Sequence, residues 1–202
     1  MNPKPSTTKT EARAEAQRER ILSAAQKCFV EYGFHAASMA SIAETADMSA
    51  GLIYRYFANK NAVILAIVER QLELLRNDIQ LNRRIDLPTE MAQHYGRSCM
   101  SDSRGMNAAL LLEISAEATR DPQIAAALDH YDTTLRTTLS DWLVRSKQTG
   151  GHGLAGQIAP ARALILQCLF EGLKLRETRE PNLDRTLLTA ALQEFVPLLL
   201  KP

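Results

Sequence analysis

The sequence predicts an all-α protein that consists of a short N-terminal unit and a larger C-terminal helical bundle. Apolar residues recur at helical spacing along most of the 202 residues. No stretch shows the sustained alternation of apolar and polar residues that is typical of a half-buried strand. Near the N-terminus, two short helical patterns follow a longer one, and a tight turn joins them, which predicts a three-helix unit with a helix-turn-helix.

The first helix is predicted from about Glu11. Residues 1–10 hold almost no apolar side chain and are expected to form a disordered arm. Gly33 is expected to end the helix, because glycine readily adopts the left-handed conformation found at helix ends. One apolar stripe runs along this helix and consists of Ile21, Ala24, Ala25, Cys28, Phe29 and Tyr32.

Two short helices are predicted next, over Met39–Ala46 and Ala50–Phe57, joined by a turn at residues 47–49. Ser38 and Ser49 stand immediately before these helices, where a serine side chain can accept a hydrogen bond from a free backbone N–H group. The second helix is amphipathic, since its apolar residues lie four positions apart and leave the opposite face open. An open face beside a helix N-terminus suits the major groove and the phosphates of DNA.

Capping residues, prolines and glycines divide the rest of the chain into further helices. A long helix is expected after Asn59, and residues 149–160, with four of the nine glycines, are expected to form a loop. The domain boundary is predicted near residue 58, giving domains at 11–58 and 59–202. The helices expected in the second domain are Lys60–Leu81, one from Pro88 to the break at 101–105, one from about Leu110 to Ala118, Pro122–Lys147, Ala161–Arg176 and Leu183–Leu200.

Composition excludes several classes of protein. The formal net charge is only +1, so any DNA binding depends on a local surface, and residues 1–60 hold eight Lys or Arg against six Asp or Glu. Three widely spaced cysteines, Cys28, Cys99 and Cys168, argue against a disulfide framework or a structural zinc site and suit a reducing cytoplasm. No apolar run reaches about 18 residues, and the N-terminus lacks the apolar core of a signal peptide. We expect a cytoplasmic protein without a membrane partner, cofactor or metal.

The N-terminal motif resembles the DNA-binding domain of the tetracycline-repressor (TetR) family of bacterial transcriptional regulators. The resemblance covers residues 21–60, ILSAAQKCFVEYGFHAASMASIAETADMSAGLIYRYFANK, in order and spacing. Its most specific part is the string S-x-G-x2-Y-x-Y-F-x2-K that begins at Ser49. The sequence has Ser38 where threonine is more usual, Asp47 where glycine is common, and Asn61 where glutamate is common. Aspartate tolerates the left-handed conformation better than most residues, so the turn should be kept.

The resemblance implies a DNA-binding domain followed by a helical bundle for ligand binding and dimerisation. It implies a homodimeric repressor that a small apolar or amphipathic molecule releases from its double-stranded operator DNA. An alternative is a helical regulator that acts through a protein partner or as an activator, without a small-molecule inducer. The sequence has no Gly-rich phosphate loop, G-x-S-x-G elbow or H-E-x-x-H motif, so we predict that it is not an enzyme.

The same resemblance implies a set of DNA-contacting residues. Ser38, Tyr54 and Lys60 match phosphate-contacting positions, and Arg55 either reads a guanine edge or lies near the backbone. The full predicted set is Ser38, Ser41, Ser49, Ala50, Gly51, Tyr54, Arg55, Tyr56 and Lys60.

Ligand and dimer sites are predicted in the C-terminal bundle. Only five of the eleven aromatic residues lie beyond residue 58, which argues against an aromatic cage and favours an aliphatic cavity. His94 and Cys99 lack a third partner for a metal site. Glu113 either faces a cationic ligand or lies on a solvated helix face. The predicted pocket residues are Met91, Tyr95, Cys99, Met106, Leu110, Glu113, Tyr131, Trp142, Gln167 and Phe170. The last two helices are apolar on wide arcs, and the predicted dimer residues are Leu166, Leu173, Leu188 and Phe195.

Overall fold

A computed structural model describes residues 9–80, 86–96 and 108–201. These residues contain α-helices and a short 3₁₀ helix but no strand, which confirms the all-α prediction. The helices are α1 Lys9–Ala36, α2 Met39–Thr45, α3 Ala50–Tyr54, α4 Lys60–Gln80, α5 Leu87–His94, α6 Ala108–Ala118, α7 Pro122–Val144, the 3₁₀ helix Lys147–Thr149, α8 Ala159–Arg179 and α9 Arg185–Leu200. In the described ranges, none of the helices is long and apolar enough to cross a lipid bilayer.

Contacts divide the chain into two compact units, residues 1–67 and 68–202. The division lies inside α4, whereas the sequence places the domain boundary near residue 58, before this helix. The first two turns of α4 carry the buried side chains of Val63, Ile64 and Ile67. The first two turns of α4 therefore belong to the N-terminal unit.

The N-terminal unit is built from α1, α2, α3 and the start of α4. Helix α1 packs on α2, and α2 packs on α3. The side chains of Ile21, Leu22, Phe29, Ile42 and Ile53 are fully buried. Burial of this apolar surface is the main force that holds the short helices in place, since helices this short are marginal in isolation.

Helix α1 differs from its prediction at both ends. It begins at Lys9, inside the range expected to be disordered, and the arm before it lies outside the described residues. Gly33 has φ 76° and ψ 159°, so the helix kinks where it was expected to end and then continues for one short turn. Beyond this kink Phe34 packs edge-on against Phe29 at a centroid distance of 5.3 Å, while Tyr32, placed in the apolar stripe by the sequence, is exposed.

The C-terminal unit is a helical bundle in which α7 packs against α8, α5 against α9, and α6 against both α7 and α8. Its main core cluster joins residues of four helices, α5, α7, α8 and α9, with Tyr95 directly after α5 and Leu154 in the loop before α8. The fully or largely buried members are Leu87, Met91, Ala92, Tyr95, Leu139, Trp142, Leu143, Leu154, Ala159, Ala163, Leu166, Leu188, Leu192 and Val196.

Candidate functional site

The start of α2 is fixed by two reciprocal hydrogen bonds. The Ser41 backbone N–H donates to the Ser38 Oγ at 3.0 Å, and the Ser38 backbone N–H donates to the Ser41 Oγ at 2.8 Å. This capping box satisfies donors that a helix end leaves free. The predicted cap is therefore present, and Ser41, placed in the predicted set only by resemblance, is the second half of it.

The turn between α2 and α3 contains one residue in the left-handed region. Asp47 has φ 50°, the conformation that the sequence analysis expects aspartate to tolerate here. The Arg20 guanidinium of α1 donates to the Asp47 backbone carbonyl at 3.1 Å and to its carboxylate at 3.2 Å. Sequence reasoning missed Arg20, which ties the turn to the first helix.

Helix α3 is short and has one face held in the core. The Ser49 Oγ accepts a hydrogen bond from the Leu52 backbone N–H at 3.2 Å and so caps the helix. The side chains of Ile53 and Phe57 are buried, and the Arg18 guanidinium lies 5.5 Å from the centre of the Phe57 ring. These contacts fix the orientation of α3 about its own axis.

The opposite face of α3 is open to solvent. Ala50, Gly51 and Arg55 are exposed, and 55% of Tyr54 is accessible, whereas Tyr56 is half-buried. A Cβ atom placed on Gly51 would have no heavy atom within 4 Å. Nothing inside the unit therefore requires glycine at this position.

Lys60 has an internal role that sequence reasoning missed. Its Nζ donates to the backbone carbonyls of Phe34 at 2.7 Å, His35 at 3.1 Å and Ala37 at 2.6 Å. It also lies 4.7 Å from the centre of the Phe34 ring. An ammonium group has three N–H donors, and here all three donate hydrogen bonds to backbone carbonyls at or directly after the end of α1. The phosphate contact implied by resemblance stays a prediction and requires that Lys60 release at least one of these carbonyls.

Several predicted pocket residues belong to the core. Met91, Tyr95 and Trp142 are buried in the main cluster, and Leu110 is buried as well. The Tyr95 hydroxyl donates to the Glu180 carbonyl at 2.9 Å, and burial raises its pKa. The Trp142 indole N–H donates to a backbone carbonyl at 3.1 Å. The predicted Cys99 and Met106 lie outside the described residues, as does the break at 101–105.

Trp142 has an aromatic partner in the loop that follows α7. The ring of His152 stands edge-on to the indole at a centroid distance of 4.5 Å. Burial, and then the charge of Lys147, lower the pKa of His152 below its ordinary value. The folded chain therefore favours the neutral imidazole beside Trp142.

Polar side chains meet where α7 packs on α8. Gln167 is 4% exposed, its side chain is hydrogen-bonded to Asp132, and its Oε1 accepts no hydrogen bond from the described residues. Burial, and then the charges of Asp132 and Glu171, raise the pKa of Tyr131 to about 12. Burial and Glu171 also raise the pKa of Asp132. Of this group the sequence predicted Tyr131 and Gln167. It missed Asp132 and Glu171, although the four-residue spacing of Gln167 and Glu171 is a visible signal.

The two other predicted pocket residues, Glu113 on α6 and Phe170 on α8, are half-buried. Phe170 packs against the main core cluster. Neither observation tests a role in ligand binding, which for both residues stays a prediction.

The predicted dimer residues fall into two groups. Leu166 and Leu188 are buried in the core of the single chain, and Leu173 packs half-buried against it. The side chains of Leu166 and Leu188 are already covered within the chain, and a role at the dimer interface for these residues and Leu173 stays a prediction. Phe195 is 60% exposed. It belongs to what we call the α8–α9 apolar surface, the exposed residues Leu164, Ile165, Leu187, Phe195 and Leu198.

Comparisons with known proteins match both units of the chain. Residues 21–67 match the family described as bacterial regulatory proteins, tetR family. Residues 88–201 match the family described as BetI-type transcriptional repressor, C-terminal.

Individual relatives and solved structures agree with these matches. The HTH-type transcriptional regulator UidR of Escherichia coli (strain K12) is 35% identical over 141 residues, which are 68% of this chain and 69% of that protein. The HTH-type transcriptional repressor AcnR of Corynebacterium efficiens is 24% identical over 133 residues, 66% of this chain and 67% of that one. Salmonella enterica GusR superposes with a TM-score of 0.65 at 26% identity, covering 93% of this chain and 96% of its own. Reduced NemR of E. coli has a TM-score of 0.67 at 20% identity, covering 88% and 95%.

Proposed function

The chain belongs to the tetR family of bacterial regulatory proteins, and we propose that it is a ligand-responsive transcriptional repressor that binds its operator through the open face of α3. The observation that carries this proposal is the two-faced packing of α3. Ile53 and Phe57 are buried, while Gly51, Tyr54 and Arg55 are exposed behind the Ser49 cap. A helix held in this way can enter the major groove without loss of core contacts.

The exposed residues would have different roles in DNA recognition, as phosphate contacts or as a base contact. Tyr54 and Ser38 would donate to phosphates, which position the protein but carry no sequence information. Arg55 would read a base edge, for which a guanine is the usual partner of arginine. Since the whole chain has a net charge of only +1, affinity would depend on these local contacts and would fall steeply with salt.

The family acts as dimers, and we propose that the α8–α9 apolar surface is the dimer interface of this protein. Five large apolar side chains are exposed on these two helices. Such a surface on a two-fold axis would meet the same surface of a second copy. The dimer would present two α3 helices to major grooves about 34–36 Å apart, or more by whole turns of DNA.

Ligand response is the second part of the proposal. The matching C-terminal family is one of transcriptional repressors, which favours a repressor over the alternative of an activator. A ligand can release DNA only if it binds the non-binding conformation more tightly. Helix α4, whose residues belong to both units, is the segment through which such a change would reach α3.

Selection of bound duplexes from a random-sequence library, followed by fluorescence anisotropy, tests this function. We expect one two-fold-symmetric sequence to be enriched and to bind one dimer, with an affinity that falls steeply as salt rises. A library in which no sequence is enriched, at a salt concentration where the dimer is intact, would contradict the proposed function.

A further inference from the structure

We propose that Arg20 of α1 binds a phosphate of the operator, and that the carboxylate of Asp47 weakens DNA binding by competing with that phosphate for the guanidinium. Neither residue belongs to the set of DNA contacts that the family resemblance implies. The inference rests on the DNA binding proposed above and adds to it a contact outside α3.

The first observation is the position of the pair. Asp47 lies in the turn between α2 and α3, two residues before Ser49, which caps α3. The Arg20 Nη2 donates to the Asp47 backbone carbonyl at 3.1 Å, so the guanidinium is held against this turn. Since the N-terminal residues of a recognition helix contact the bases, the turn before them comes close to the phosphates that line the groove. Arg20 is therefore placed beside the path of the DNA backbone.

The second observation is that the Arg20 guanidinium keeps unused donors. Both contacts with Asp47 are made by Nη2, at 3.1 Å to the backbone carbonyl and at 3.2 Å to the carboxylate. Nε and Nη1 donate to none of the residues that the structure describes, and 47% of the side chain is exposed. A guanidinium carries five N–H donors in a planar fork that matches the oxygens of a phosphate. The backbone carbonyl thus orients this group and leaves donors for a phosphate.

The third observation is the exposure of the competing acid. The Asp47 side chain is 98% exposed, and an ion pair between exposed groups contributes little to folding. A phosphate can therefore replace the carboxylate at Arg20, while the hydrogen bond to the Asp47 carbonyl keeps the turn in place. Until it is replaced, the carboxylate occupies a donor of the guanidinium and repels the phosphate. We conclude that Asp47 lowers the affinity for DNA and that Arg20 raises it.

Two substitutions test these opposite effects by fluorescence anisotropy with the selected operator. Arg20→Gln should weaken binding about tenfold, because a hydrogen bond between two charged groups is lost. Asp47→Asn should strengthen binding about threefold or more, because a charge that repels the phosphate is removed. Asparagine also tolerates the positive φ of this position and keeps the backbone carbonyl. If the pair only held the turn in place, both variants would weaken binding.

The salt dependence of binding separates a phosphate contact from a structural role. Each phosphate contact contributes about 0.9 to the slope of log affinity against log salt, so Arg20→Gln should reduce that slope by about 1.8 for the two copies in a dimer. Arg20→Lys keeps the charge and should keep most of the slope. Two matched controls, Lys27→Gln for an exposed base on α1 and Glu44→Gln for an exposed acid on α2, should bind like the wild type.

A wild-type slope in folded Arg20→Gln, or weaker binding by Asp47→Asn, would overturn the inference. If Arg20→Gln does not fold, Asp47→Asn and Arg20→Lys decide. If Tyr54→Phe weakens binding in the same titrations while Arg20→Gln keeps the wild-type slope, recognition through α3 stands and the Arg20 contact is wrong. If the wild type prefers no sequence, the proposed function is refuted. A reduced slope of Arg20→Gln on any duplex would then still support the phosphate contact, since phosphates carry no sequence information.

Discussion

Replacement of Lys60 by methionine should destabilise the N-terminal unit, in addition to any effect on DNA binding. The substitution keeps most of the side-chain volume but removes the donors to three backbone carbonyls at the end of α1. A phosphate ligand with no internal role would leave stability unchanged. The variant therefore separates the two roles of this residue.

The magnitude follows from the surroundings of each carbonyl. The hydrogen bonds to Phe34 and Ala37 are part-buried, while the one to His35 is exposed, where water can replace the donor. A hydrogen bond with one charged partner contributes about 1.5–3 kcal/mol when buried. At the low end of that range for the two part-buried bonds, and nothing for the third, the loss is about 3 kcal/mol.

Hydrogen exchange by mass spectrometry of the full-length protein measures this loss locally. Since each 1.4 kcal/mol is about a factor of ten, amides protected by the folding of the N-terminal unit should exchange about 100-fold faster. Amides of the C-terminal unit should keep their rates. The matched control is Lys27→Met, which replaces an exposed lysine on α1 and should change neither unit. Unchanged exchange in the N-terminal unit of Lys60→Met would refute the reasoning.

Three further outcomes are expected. Gly51→Ala should stabilise α3 by up to about 1 kcal/mol, because alanine is the better helix former and the new Cβ meets no atom within 4 Å. In fluorescence anisotropy the same variant should bind the operator more weakly, because the added methyl group lies on the face of α3 that approaches the DNA. Because burial, and then the charge of Lys147, lower the pKa of His152 in the folded state, its contribution to stability is complete above the ordinary value of 6.5 and is lost as the pH falls from that value through the lower pKa of the folded state. Thermal melts should show this dependence, whereas Trp142 emission of the folded protein should change only as the pH falls through the lower folded-state pKa of His152; His152→Gln should abolish both effects. Phe195→Asp should give folded monomers in sedimentation, whereas Leu112→Asp, at 40% exposure on α6, should remain dimeric; a dimeric Phe195→Asp would place the interface elsewhere.

The elements that the sequence predicts well depend on local chemistry. Ser38 and Ser49 cap helices because a serine hydroxyl can reach backbone N–H groups three residues ahead. Asp47 keeps the turn because it tolerates a positive φ. The four-residue spacing of Ile53 and Phe57 predicts that both are buried, although α3 ends at Tyr54 and Phe57 follows it in the turn rather than closing the predicted helix Ala50–Phe57. Each of these features is decided within a few residues of chain.

The features that the sequence does not predict depend on contacts between distant residues. Lys60 and the carbonyl of His35 are 25 residues apart, and the pairing of Asp132 with Gln167 requires the register of α7 on α8. The buried Leu166 and the exposed Ile165 are neighbours in one apolar run, and only packing decides which of them faces the core. Periodicity identifies an apolar helix but does not assign its two faces to a core and a partner when both are apolar.

The measurement that tests the central claim most directly compares two tyrosines in operator binding. Tyr54 on α3 and Tyr32 on α1 are almost equally exposed, at 55% and 53%, so loss of either hydroxyl should leave the fold intact. By fluorescence anisotropy, Tyr54→Phe should lose about tenfold in affinity for every bound sequence, since a hydrogen bond to a charged phosphate is removed. Tyr32→Phe should bind like the wild type. Equal affinities for wild type and Tyr54→Phe, or an equal loss in both variants, would contradict recognition of DNA through the open face of α3.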